Sequence, residues 1–183
     1  MSEGMTLGDA QRDLSRRYVG GAPGVLVSGV VWIVAGVVAS RHGVLAGFAA
    51  LFVGGMAIYP LSLLLSRALA RGAAPVATAN PLERAALEGT FVLFAGLLLA
   101  WLLLPVAPGL VFVAAALAIG VRYLSFRTLY GNALYWALGG TIAALATVAG
   151  LGSEPVARHL PVLVGVVEIA FATALLAAAR RAA

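Results

Sequence analysis

The chain has 183 residues, of which 62% are hydrophobic and only 10% are charged, whereas a soluble domain carries about 25% charged residues. The formal net charge is +5, all twelve basic residues are arginines, and there is no cysteine. This composition excludes a soluble globular domain, disulfides, thiolate metal sites and cysteine nucleophiles. The arginines lie at the ends of apolar segments and not in one basic patch, so we expect no nucleic-acid partner.

Residues 1–22 form a polar N-terminal segment that we expect in the cytoplasm. Within it, residues 6–18 place Leu7, Leu14 and Tyr18 near one helical face, which is typical of an amphipathic helix lying on a membrane. The apolar stripe is thin, and a disordered tail is an equal alternative. The following run 25–39 resembles a signal sequence, but five further apolar segments follow it, so we interpret it as a retained first helix.

Four long stretches without a charged residue predict membrane-spanning helices. A spanning helix needs about 20 mostly apolar residues, and the absence of period-two alternation leaves helices as the spanning elements. We predict an all-α, polytopic bundle of six transmembrane helices in three hairpins, with residues 23–183 forming a single transmembrane domain. The charge-free stretches are 18–40, 43–66, 89–121 and 128–153. The predicted spans are 23–40, 44–67, 82–104, 109–130, 132–150 and 161–179.

The third helix has a well-defined start. Asn80 is a favourable N-cap residue, Pro81 suits the first helical position, and Glu83 follows at the third. The sequence therefore predicts a helix boundary at Asn80.

The arginines also predict an orientation. With the N-terminus inside, ten arginines fall in inner segments, and only Arg41 and Arg158 fall in outer ones. Because cytoplasmic loops are enriched in Lys and Arg, we expect both termini in the cytoplasm and a bacterial cytoplasmic-membrane location. The basic inner face should favour anionic lipids.

Glu88 and Arg122 flank the charge-free stretch 89–121. Two spans need about 40 residues, so both charges should lie inside the bilayer or at its edge, at similar depths. One interpretation is an ion pair that lines a cytoplasmic cavity. The other is that Arg122 extends to the lipid headgroups while Glu88 binds Arg84 one turn earlier.

Glu168 is a carboxyl group without a partner nearby in the sequence. It lies seven residues after Pro161, about 10 Å along the predicted span. A lone charge at that depth costs several kcal/mol, so the group is either neutral or paired with another helix. Two interpretations stay open: a protonated carboxyl bonded to a hydroxyl such as Thr141 or Thr147, or a carboxylate that titrates as protons or cations move. Arg122 is within reach only if both side chains extend.

Other residues in the spans have plainer interpretations. Arg127 suits a membrane anchor, and Tyr123, Phe126 and Tyr130 have the spacing of an aromatic belt at the interface. Tyr123 is also a candidate for the site because it adjoins Arg122.

Tyr59 and Pro60 predict a helix kink or hinge. Small residues spaced for close helix packing, within the chain or between subunits of a homo-oligomer, include Gly43, Gly47 and Gly54, then Gly139, Ala143 and Thr147, then Ala170, Ala174 and Ala178.

Catalytic and metal-binding motifs are weak. His42, His159 and Glu154 share the predicted outer face and have the chemistry of zinc ligands, but histidines beside arginines in loops favour an interfacial role. The sequence contains no phosphate-binding glycine loop, nucleophile elbow or HExxH motif. We therefore predict no metal, no cofactor and no enzymatic activity.

Two segments, ANPLERAALEGTFVL and GVRYLSFRTLYG, resemble a family of small bacterial multi-span membrane proteins classed as a domain of unknown function. Its pattern has an Asn-Pro-Leu helix start and a Gly-x-His-Tyr-x-Pro-Phe-x-x-Leu-Tyr-Gly segment. Arg122 stands at the His position and Ser125 at the Pro position. The resemblance implies a six-span topology and no known activity. A His there would suit proton exchange, whereas Arg stays charged, so Arg122 puts such a role in doubt. The matching residues are Asn80, Pro81, Leu82, Gly120, Tyr123, Phe126, Leu129, Tyr130 and Gly131.

These observations lead to two hypotheses about function. The first is a small transporter or channel in which Glu168 is the proton or cation site and Arg122 with Glu88 forms a gate or counter-charge. The second is a structural or lipid-contacting module, or an accessory subunit, without transport activity. A membrane enzyme ranks third.

Overall fold

The structure, a computed structural model, describes residues 5–69 and 80–182, and these ranges are helical without β-strands. Short 3-10 turns at Val19–Gly21 and Pro108–Leu110 precede the second and fifth α-helices. The predicted connection 68–80, with Arg71, lies mostly outside the described residues. The helices are α1 Leu7–Arg17, α2 Ala22–His42, α3 Val44–Leu69, α4 Leu82–Leu103, α5 Val111–Tyr130, α6 Leu134–Gly150 and α7 Glu154–Ala182.

Within the described ranges, five helical segments are long and apolar enough to cross a membrane. They are Val19–His42, Val44–Leu69, Leu82–Leu103, Pro108–Tyr130 and Pro155–Arg181. The remaining predicted span, 132–150, corresponds to α6, which is apolar but has only 17 residues. The all-α architecture is therefore confirmed, and the structure is compatible with a membrane protein.

Consecutive helices pack as three antiparallel hairpins, α2 with α3, α4 with α5, and α6 with α7. Helices α2, α7, α6 and α5 pack in that order and contain most of the buried residues. Helix α3 packs on α2, helix α4 packs on α5, and both expose most of their apolar side chains. The core therefore lies among four helices, with α3 and α4 on its flank.

Glycines set the closest helix crossings. A Cβ atom on Gly165 of α7 would lie 2.5 Å from the carbonyl oxygen of Gly29 on α2. A Cβ atom on Gly139 of α6 would lie 2.6 Å from the carbonyl oxygen of Gly120 on α5. Backbones can approach this closely only where side chains are absent, which confirms the packing role predicted for Gly139.

The observed start of α4 agrees with the boundary predicted from the sequence, whereas the start of α7 does not. Helix α4 begins at Leu82, whose N–H donates to Asn80 Oδ1 at 3.0 Å, in agreement with the predicted boundary. Helix α7 begins at Glu154 and continues through Pro161, so the expected connection 151–160 is shorter than predicted. The proline removes one backbone donor, but the helix has already begun, with Ala157 N–H donating to the Ser153 carbonyl at 2.8 Å.

The N-terminal helix α1 is ordered and docks on the bundle. It buries Ala10 and Leu14, whereas Leu7 is 58% exposed. Gln11 donates to the Thr128 carbonyl at 2.8 Å, at the end of α5. The Asn80 side chain donates to the Ala10 carbonyl at 2.9 Å. These contacts place α1 where α4 begins and α5 ends, and we refer to this end of the bundle as the α1 end.

A left-handed turn connects α1 to α2. Val19, Gly20 and Gly21 have φ angles of 51°, 62° and 77°. Glycine adopts such angles freely, whereas a β-branched residue such as valine does so at a cost. A Cβ atom on Gly20 would lie 3.5 Å from Ala179 of α7, so the turn is held against the end of α7.

Candidate functional site

Glu168 lies in the middle of α7, 14 residues from Glu154 and 14 from Ala182, and its side chain is completely buried. The hydroxyl of Tyr123 on α5 donates to Glu168 Oε1 at 2.8 Å. Tyr123 is itself only 3% exposed. The sequence predicted both residues as candidates for the site, and the structure brings them together in the core.

Ser28 on α2 completes a three-helix polar cluster that sequence reasoning missed. Its hydroxyl lies beside both the Glu168 carboxyl and the Tyr123 hydroxyl. Within residues 5–69 and 80–182, however, Ser28 Oγ and Glu168 Oε2 are buried without a hydrogen-bond partner. The signal in the sequence was that Ser28 is the only hydroxyl residue between Val19 and Ala39. Its neighbour Gly29 allows the approach, because a Cβ atom there would lie 3.1 Å from the Glu168 Cβ.

The partners considered for Glu168 from sequence differ from the one in the structure. Thr141 is exposed, and the Thr147 hydroxyl donates to the Ala143 carbonyl of its own helix at 2.8 Å. In the part of the chain that the structure describes, no basic side chain forms an ion pair with Glu168. Tyr123 therefore takes the place expected of a threonine or of Arg122.

Four rings form an aromatic cluster between Glu168 and the α1 end, comprising Tyr123, Phe126, Tyr130 and Tyr135. Tyr135 stacks on Tyr123 and on Tyr130, with ring centroids 6.2 and 5.5 Å apart. Its hydroxyl donates to the Gly20 carbonyl at 2.7 Å, in the left-handed turn. Tyr123 and Tyr130, predicted for an interfacial belt, thus pack against other rings of the bundle. The cluster and the turn close the α1 end beneath Glu168.

Arg122 and Glu88 do not meet. The Arg122 guanidinium donates to Thr90 Oγ1 at 3.2 Å and lies 5.4 Å from the Phe126 ring centroid. Glu88 is exposed, and among the described side chains it forms no ion pair with Arg122 or Arg84. Similar depth fixes position along two helix axes but not the faces on which side chains stand, which explains why the predicted Glu88–Arg122 pair is absent. Arg84 and Glu88 lie one turn apart on α4, but both point outward without forming the alternative ion pair.

Most of the chain matches the sequence model of one protein family. The sequence model of a family of unknown function, DUF7010, matches residues 7–178. The chain belongs to this family. The match extends over α1 and the residues around Glu168, and it confirms the resemblance to an uncharacterised family seen in the sequence. No curated protein matches the chain, and no solved structure matches it.

The remaining predicted residues of this DUF7010 member lie away from Glu168. Arg127 is exposed, with its guanidinium 4.4 Å from the Trp136 ring centroid. Helix α3 continues through Pro60, and Tyr59 is 66% exposed. Partial burial together with neighbouring Tyr59 and Glu83 raises the pKa of Tyr18, so Tyr59 lies near the α1 end of the molecule.

Proposed function

We propose that the chain is a six-span membrane protein that moves protons or small cations through a site at Glu168. The observation that carries this proposal is the burial of the whole Glu168 side chain with Oε2 unpartnered. Ionisable groups inside a membrane are costly and usually mark ion pathways or proton relays. The family assignment supplies no activity, so the site itself carries the argument.

The proposed topology adds α6 to the five longer helices and places the α1 end in the cytoplasm of a bacterium. Support comes from the arginines, because those in α1 and at the ends of α3, α5 and α7 belong to one end of the bundle. The opposite end has Arg41 and Arg158. Positive charge favours the cytoplasmic side, and it would attract anionic lipids there.

The arrangement of Ser28, Tyr123 and Glu168 suits a site at which the Glu168 carboxyl binds and releases a proton or another cation. An ionised carboxylate in a low-dielectric core is costly unless a cation accompanies it. In this arrangement Glu168 is therefore a neutral acid or the partner of a bound cation. When Glu168 is protonated, its Oε2–H is a donor beside the Ser28 hydroxyl, while Tyr123 continues to donate to Oε1. Tyr123 and Ser28 are thus positioning residues for the carboxyl.

Both ends of the pathway are closed in this conformation. Towards the α1 end, the aromatic cluster covers the site. Towards the opposite end, the close crossing of Gly29 and Gly165 leaves no space between α2 and α7. Trp32 and Phe112 pack beyond it, with centroids 6.4 Å apart. Ion movement requires one of these closures to open, and Arg122, which contacts Phe126, is placed to support the cluster.

The competing hypothesis makes the Tyr123–Glu168 hydrogen bond a structural link between α5 and α7. Reconstituting the full-length protein into liposomes distinguishes the two. Internal pH is followed under an imposed proton gradient, with and without Na⁺ and K⁺, for wild type, Glu168→Gln and Glu88→Gln. Glu88→Gln is the matched control because it removes a carboxylate from an exposed position on α4.

Transport predicts flux in wild type and Glu88→Gln that is lost in Glu168→Gln. Equal flux in all three proteins, or none in any, would remove proton and cation movement through Glu168 and favour the structural link. Circular dichroism and size-exclusion profiles of the three proteins must agree, so that loss of flux is not loss of fold.

A further inference from the structure

A lateral apolar groove separates α3 from α4 at the end of the bundle opposite α1. Its deeper part has a volume of about 580 Å³, and its outer part has a volume of about 510 Å³. Trp101 lines both parts. Phe48 and Trp101 approach across the groove, with ring centroids 6.3 Å apart. The deeper part is lined by Phe48, Ala49, Phe52, Val53, Phe94, Leu97, Leu98 and Trp101.

The groove is about as deep as one leaflet of a bilayer. On α3 its lining runs from Val44 to Val53, and on α4 from Leu104 to Phe94. At 1.5 Å per residue these stretches are about 14 and 15 Å long, half of a hydrocarbon core of about 30 Å. The lining stretches of α3 and α4 therefore give nearly the same depth for the groove, and they do so independently.

This depth selects the occupant. A spanning helix of a second copy would extend along the full core of about 30 Å, past the end of the lining at Val53 and Phe94. An acyl chain of one leaflet reaches only to the bilayer midplane. Apart from the indole N–H of Trp101, the side chains that line the deeper part are apolar, as an acyl chain requires.

The mouth of the groove carries positive charge. Arg41 and His42 end α2 one residue before α3, which begins at Val44, and both are exposed. Val44 and Leu45 line the outer part of the groove. A cation beside the headgroup level attracts anionic lipids, and a tryptophan such as Trp101 is favoured at the interface.

We propose that this groove binds one acyl chain of an anionic phospholipid from the leaflet opposite the α1 end, with its headgroup beside Arg41. The proposal rests on the membrane-spanning arrangement proposed above but not on ion movement through Glu168. A negative result in the liposome assay would therefore leave the lipid proposal unaffected, and a failure to bind lipid would leave the proposal of ion movement unaffected.

The test is native mass spectrometry of the full-length protein in detergent, titrated separately with phosphatidylglycerol and phosphatidylcholine. Ala49→Trp fills the groove, since Ala49 is exposed within its lining. Met56→Trp is the matched control, because it adds the same ring to α3 at a residue that is 63% exposed and lies below the groove. Arg41→Gln removes the charge at the mouth.

Phosphatidylglycerol held by the arginines at the α1 end should be retained by all variants. Wild type and Met56→Trp are expected to bind one further phosphatidylglycerol per chain, and Ala49→Trp to bind that lipid about tenfold more weakly through lost apolar contact. Arg41→Gln should remove the preference of this further site for phosphatidylglycerol over phosphatidylcholine without preventing binding. Unchanged affinity in Ala49→Trp overturns the proposal. So does a dimer of the chain that Ala49→Trp dissociates and Met56→Trp does not, because the groove is then an interface between copies.

Discussion

Glu168 and Glu88 are two carboxyl groups in long apolar helical segments, Pro155–Arg181 and Leu82–Leu103. Glu168 is completely buried and bonded to another helix, whereas Glu88 is exposed on the flank. Helix α7 packs against α2 and α6, while α4 packs mainly against α5. The number of helices around a charge therefore decides its role more than the apolarity of its own helix does.

The largest difference is expected from reversing each charge. Glu168→Lys should destabilise the protein by about 3 kcal/mol or more, because a longer cation would be buried among apolar groups. Glu88→Lys should cost less than about 0.5 kcal/mol at an exposed position. Denaturant unfolding in detergent measures both, and similar losses for the two variants would contradict the contrast.

The second test changes the packing around Glu168. Gly165→Leu would press its side chain into the Gly29 carbonyl and Ile33, separating α2 from α7 at a cost of about 1–3 kcal/mol. Gly140→Leu is the control, since a Cβ atom there meets no heavy atom within 4 Å. The midpoint of thermal unfolding should fall only for Gly165→Leu, and an equal fall in both would show that the crossing is loose.

The third test removes one hydroxyl. Tyr123→Phe leaves Glu168 Oε1 buried without its donor, which costs about 1–3 kcal/mol. Tyr59→Phe removes a hydroxyl from an exposed side chain and should cost less than about 0.5 kcal/mol. Equal unfolding free energies for Tyr123→Phe and wild type would mean that the hydrogen bond contributes nothing to stability.

The smallest effect concerns a third carboxyl group, outside the spans. The side chains of Thr6 and Arg12 hydrogen-bond to Asp9 and hold its pKa below 3.8. A lowered folded-state pKa stabilises α1 above the unfolded pKa, and this contribution is lost as pH falls through the folded one. Hydrogen-exchange protection of α1, relative to intrinsic rates at each pH, should decline slightly below pH 4. The same decline in Asp9→Asn would exclude this cause.

Local signals were read correctly from the sequence. The Asn80 side chain accepts from the Leu82 N–H at the start of α4, and that geometry needs only three residues. Glu168 stood out because no residue one turn away could pair with it. The apolar runs predicted helices directly, since a helix satisfies its own backbone hydrogen bonds.

Contacts between helices that are distant in the sequence could not be predicted in this way. Ser28 lies beside Glu168 only because α2 and α7 cross at two glycines 136 positions apart in the chain, from 29 to 165. Rise per residue gave Arg122 and Glu88 the same depth, but the rotation of α4 about its axis depends on its packing. Tyr123 and Tyr130 have a spacing that suits an interfacial belt and an internal cluster equally well.

The docking of α1 has a consequence for the order of biogenesis. Helix α1 precedes α2–α7 in the chain, yet its contacts are with Asn80, Thr128 and, through the adjoining turn, Ala179 of α7. Helix α1 can therefore complete its contacts only after α7 has been synthesised and has packed on the bundle. Protection of α1 from proteolysis would report that assembly has finished.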